Sequence, residues 1–182
     1  MKWLLPACAV LTGTALLAAM QVTNPGYNEA FRPFVTDVPR DGVGETRLFG
    51  GQIAGWRSAD RIGFSHFGRE RLLDTQGVFL LVDLKLHARV RSTTLRATWQ
   101  GASGREYAAT ARAENLPGAA ESVVLQPGLT MSALAIFELP PDEIAGGALI
   151  LAPPLNPPLD GALRLQPPAA PPGHRAEERF DR

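Results

Sequence analysis

From Leu80 the chain alternates without interruption. Leu80, Val82, Leu84, Leu86 and Ala88 fall on one side, and Leu81, Asp83, Lys85, His87 and Arg89 on the other. A period of two belongs to an extended strand, because successive side chains of a strand point to opposite faces. An amphipathic helix would need a period near 3.6. With the apolar pair Val78 and Phe79 in front, Val78 to Val90 is expected to be a strand with one buried face.

Weaker signals of the same kind surround it. Arg47 to Ile53 is a plausible first strand with a glycine break at Gly50 and Gly51, and Ile62 to Phe67 a second. Thr93 to Gln100 alternates, with Leu95, Ala97 and Trp99 on one face. Gly101 to Gly104 then turns the chain and Arg105 to Ala111 returns, which reads as a hairpin. Ser122–Leu125, Ser132–Leu139, Ala148–Leu151 and Ala162–Leu165 supply further short strands. Pro140 and Pro141 stop the longest of these, since proline cannot donate to a ladder. Short strands at this spacing predict an all-β sandwich or barrel.

One segment stands apart. Trp3 to Met20 carries no charge and follows Lys2, the arrangement of a signal peptide or an uncleaved signal anchor. Its length is close to the lower limit for a bilayer-spanning helix. The positive charge before it places the N-terminus inside and the bulk of the chain outside. Small residues are poorly placed for cleavage, so retention as an anchor is favoured over release. The organisation expected is residues 1–22 as anchor or signal, 23–46 as a turn-rich connector, 47–166 as the sandwich, and 167–182 as a disordered tail, rich in proline and then in charge.

Composition narrows the partners. Lys plus Arg and Asp plus Glu are 18 each, so the net charge is zero. A nucleic-acid binder would want a basic face. The single cysteine, Cys8, lies in the apolar segment, so the exported part has no thiol and no disulfide.

No arrangement of catalytic residues emerges. The histidines His66, His87 and His174 are well separated in sequence, whereas a zinc site needs three or four convergent ligands. Ser65 and His66 are adjacent, and neighbours on an extended chain point apart, which makes them poor triad partners. Asp142 and Glu143 follow two prolines and fit the cap of a short turn. Neither a metal nor a cofactor is expected, and the chain is read as non-catalytic. The most suggestive stretch runs from Arg57 to Arg71, with Trp56 just before it. It combines Trp56, Phe64 and Phe67 with Arg57, Arg61, Arg69, Arg71 and His66. Arginines interleaved with aromatics suit a protein-binding surface. The plainer alternative is a loop whose aromatics pack on the core while its arginines stay wet.

The succession Gly77–Leu84, the hairpin around Gly104-Arg105-Glu106-Tyr107, the turn Leu125-Gln126-Pro127-Gly128 and the strand Ala135–Pro140 resembles the uncharacterised immunoglobulin-like domains of bacterial extracytoplasmic proteins, which are membrane-anchored or secreted. The resemblance covers about Leu48 to Leu165. It implies an immunoglobulin-like sandwich and transfers no catalytic residue, since fold alone does not set function. The resulting expectation is a periplasmic accessory domain, held in the bacterial inner membrane by its N-terminal helix, that presents a sandwich surface to an envelope protein partner. The alternatives are a small envelope hydrolase with a site near His66 or His87, a ligand-binding domain released to the periplasm by cleavage, and a spacer.

Overall fold

A computed structural model describes residues 4–23, 33–66, 68–113, 116, 118–154 and 160–180. The chain divides into two units, Met1–Arg32 and Pro33–Arg182.

The first unit holds one helix, α1 (Leu4–Thr23). Its residues from Pro6 onward are exposed on every side. Two polar side chains are neutralised within it: the Thr14 and Thr23 hydroxyls donate back to the carbonyls of Val10 and Ala19, at 2.9 and 2.8 Å. Pro6 sits in the first turn, where a missing N–H costs no helical bond. The window Pro6–Thr23 has a mean hydropathy of 1.4, and the helix is long and apolar enough to cross a membrane or to act as a signal peptide.

The second unit is a two-sheet β-sandwich. Its strands are β1 (Phe34–Val38), β2 (Gly44–Glu45), β3 (Phe49–His66), β4 (Arg69–Ala88), β5 (Arg96–Gln100), β6 (Glu106–Ala108), β7 (Thr130–Leu139), β8 (Ala148–Ala152), β9 (Gly161–Leu165) and β10 (Gly173–Phe180). One sheet has the order β1-β9-β8-β5-β6, the other β10-β3-β4-β7, and β2 pairs with β3. Two pairings are parallel, β1 with β9 and β10 with β3.

The alternation from Leu80 does what its period requires. Leu80, Val82, Leu84, Leu86 and Ala88 are buried between the sheets, facing Ala97 and Trp99 of β5, Leu149 and Leu151 of β8, and Leu163 and Leu165 of β9. The opposite face of β4 is less open than its polar residues imply. Phe79 and Leu81 are fully buried in a second cluster with Ala59, Ile62, Phe64, Leu134 and Ile136. Ala113, in a 3-10 turn over Ala111–Ala113, and Leu116 cover that cluster.

Three expectations are corrected. The described residues 49–53 and 62–66 of the two expected strands belong to one strand of eighteen residues, and Gly50 and Gly51 do not break it. They permit close approach instead: a Cβ on Gly50 would strike the His87 ring, and one on Gly51 would meet the Leu86 side chain. Residues 122–125 form no strand; Leu125 makes an isolated bridge to Thr93. The tail expected to be disordered contains β10, and the connector contains β1 and β2. Polar composition concealed β10, whose charged side chains are tied by ion pairs. Arg175 and Arg57 both bind Glu178, and Phe180 supplies its apolar contact.

Candidate functional site

The stretch from Trp56 to Arg71 is a hairpin. β3 and β4 stay paired to His66 and Arg69, and a turn with Gly68 at φ 70° joins them. Glycine is suited to that left-handed position. β7 pairs only with Val78–His87, so the outer part of the hairpin overhangs it as an arm, flanked on the other side by β10. A bulge separates arm from sandwich: Ala59 pairs with Phe79 and Arg61 with Asp74, leaving one residue between them on β3 and four on β4.

The arm has two unlike faces. Ile62, Phe64, Leu73 and Phe180 share one, and they extend the second apolar cluster. The other is a lattice of ion pairs: Arg61 with Asp74 at 2.7 Å, and Arg179 with Glu70 at 3.0 Å and Glu177 at 2.5 Å. Apart from the half-buried Glu177 these side chains are exposed, and such pairs contribute little individually. Arg69 and Arg71 are exposed and make no ion pair among the described residues.

The residues singled out in this stretch therefore separate. Arg57 is committed internally, bridging Asp83 of β4 and the buried Glu178 of β10, the latter at 2.6 Å. Phe64 is buried. Arg61 is paired, and Arg69 and Arg71 remain open to solvent. The side chain of His66 and the whole of Phe67 lie outside the described residues. His87 is half-buried over Gly50 and not freely solvated.

Trp56 turns the other way, into the sandwich, where its ring lies 6.2 Å from that of the buried Trp99. Its indole N–H donates to the carbonyl of Ala170 at 3.0 Å. The crossover carrying Ala170 joins the first sheet to the second and is built from prolines. Around Trp56 it walls a hollow of about 350 Å³, lined by Arg40, Ile144, Gln166, Pro167 and Pro171 among others. That volume lies at the lower end of small-ligand pockets. Composition placed these prolines in a tail, and only the parallel pairing of β10 brings them here.

One contact not legible in the sequence joins β3 to β10. Ser58 Oγ is 3.1 Å from His174 Nδ1, and His174 Nε2 is 3.4 Å from Asp60. The composition is that of a hydrolytic triad, but the placement is not. Ser58 is 5% exposed, in a strand paired on both sides. A nucleophile needs an open approach and donors for the developing oxyanion. Here the contact stitches β10 to β3. Sequence separation, 116 positions from Ser58 to His174, is what hid it.

The described residues include no group of three or more His, Cys, Asp or Glu able to hold a metal. Glu143 is the buried carboxylate with a perturbed pKa. The Ser103 hydroxyl donates to it at 2.6 Å and the Ser103 N–H at 3.0 Å, and these bonds hold its pKa below the ordinary value. Its backbone carbonyl accepts from the Trp99 indole at 3.0 Å.

Fold and site together define a β-sandwich protein with one N-terminal apolar helix and an overhanging hairpin. Among solved structures the chain is similar to the YjhA protein of Bacillus subtilis, at 7% identity over 71% of this chain and 99% of that one, with a TM-score of 0.49. It is also similar to an uncharacterized β-sandwich protein of Clostridium difficile 630, at 9% identity over 74% and 97% of the two chains, with a TM-score of 0.44. No protein-family model and no curated protein matches the sequence.

Proposed function

We propose that this chain is a non-catalytic, membrane-tethered accessory protein that receives an extended segment of an envelope protein along its hairpin arm. α1 is the tether, and the sandwich works on the extracytoplasmic side. The observation that supports this reading is the overhang. β4 runs for twenty residues while β7 accompanies only its second half. From Arg69 to Leu73 the outer backbone of β4 has no neighbouring strand among the described residues. Unpaired N–H and C=O groups along a strand are a template for strand addition. Arg69 and Arg71 provide charge for steering and register, and Leu72, 47% exposed, offers an apolar contact.

The test uses the full chain in its native membranes. A photo-crosslinking side chain in place of Leu72 should capture a discrete envelope protein through a short peptide. The pair Arg69→Glu and Arg71→Glu should lower that yield about tenfold, as loss of steering and reversal of two contacts would. Capture that is equally strong from a crosslinker on β6, at the far edge of the other sheet, would defeat the reading.

A further inference from the structure

Seven large apolar side chains are exposed among the described residues of the sandwich, and four of them are gathered, Val35, Val43 and Leu72 being the others. Phe34 is 74% exposed, Val90 65%, Leu129 55% and Val124 51%. They are distant in sequence, yet the pairing brings them to one end of the domain. Phe34 opens β1 opposite Gly161, the first residue of β9, and Gly161 lies against Thr46. The Arg89 guanidinium donates to the Thr46 carbonyl, and its backbone N–H to that of Leu48. Val90 follows directly. Ala88 then bridges to Pro127 and Thr93 to Leu125, which brings the turns holding Val124 and Leu129 to the same end.

Arginine shares this end. Arg47 is neutralised by Asp160 at 2.5 Å and Arg89 by Glu45 at 3.2 Å. Arg91 and Arg96 are exposed and make no ion pair among the described residues. Isolated apolar residues on a surface need no explanation. Four at one end, beside unpaired cations, match the composition that enters the headgroup region of an anionic bilayer. The described part of the sandwich also begins at this end. Pro33, immediately before Phe34, follows Thr23 by nine intervening residues. Fully extended, that connection reaches at most about 35 Å.

We propose that this end of the sandwich is a lipid-contacting surface, with Phe34, Val90, Val124 and Leu129 at the acyl boundary and Arg91 and Arg96 among anionic headgroups. The proposal rests on the tethered reading above. It gives the domain a fixed attitude: the end bearing Phe34 faces the bilayer, and the arm at the opposite end of β3 faces away.

A fluorescent label tests it in the full chain. With Cys8→Ala removing the native thiol, Val90→Cys or Leu72→Cys carries an environment-sensitive dye. Each protein is reconstituted into vesicles of neutral lipid with and without an anionic lipid. The expected result is a blue shift, with roughly twofold brighter emission, at position 90 in anionic vesicles only, and a water-like spectrum at position 72. Arg91→Glu with Arg96→Glu should weaken the contact about fivefold per arginine and abolish the shift. If the protein floats with the vesicles while position 90 stays water-like, the lipid-contacting surface is overturned and the tether stands. A shift at both positions overturns the attitude, since it means indiscriminate adhesion. Protein that does not float with the vesicles overturns both readings.

Discussion

Glu143 keeps its carboxylate in a nearly closed niche because Ser103 donates to it twice and because Gly101 leaves room. A Cβ on Gly101 would fall on the carboxylate itself. Gly101→Ala should therefore cost about 2 kcal/mol, in the range for forcing an extra carbon into a packed site, as read from a urea midpoint. The pH dependence has a definite sign. The folded pKa lies below the ordinary 4.5, so the unfolded chain takes up the proton first as pH falls. The stabilisation is complete above the unfolded value and disappears as pH drops through the folded one. Between neutral pH and the ordinary carboxylate range, Trp99 fluorescence should be flat, and it should change only below that range. Ser103→Ala should move the change upward, and an unmoved transition would discount the two bonds. Local pattern told some residues and not others. The inward aim of Leu95, Ala97 and Trp99 was written in their alternation. Asp142 and Glu143 read only as a turn cap, because the partner of Glu143 lies forty residues away.

At the level of elements, an apolar period was readable and an ionic one was not. β4 announced itself through side chains that bury on alternate positions. β10 offered Arg175, Glu177, Glu178 and Arg179, which resemble a solvated tail until β3 supplies the Arg57 guanidinium to Glu178. The arm posed the same difficulty: its glycines and arginines suggested two short strands and a loop, yet pairing on both flanks carries β3 through as a single strand. If β10 holds the arm, a chain ending at Pro172 should lose protection there selectively. Amide exchange at Ile62 to Phe64 should accelerate at least roughly tenfold, while Leu80 to Leu86, paired with β7, should hardly change. Equal exchange in the two chains would show that β10 is dispensable to the arm.

Across the whole sandwich, the two ends differ in chemistry. The end bearing Phe34 and Val90 is apolar and basic, and the other carries the Trp56 hollow and the arm. The sandwich class was legible because strand spacing and turn chemistry are local signals. The candidate site was legible only as a range of residues, since what matters in it, an unaccompanied edge and a wall of prolines, is created by sheet order. That order has a consequence in time. β10 pairs with β3 in parallel, and the residues it joins, Arg57 with Gly173 through Phe64 with Phe180, are separated by 116 positions throughout. A contact so remote in sequence is among the slowest to form, because a long loop must close before it is rewarded. A chain delivered from its N-terminus would therefore show an unfinished strand edge and an uncovered Ile62 and Phe64 until β10 arrived. Such an edge is prone to wrong pairings. Completion of the arm therefore waits on β10.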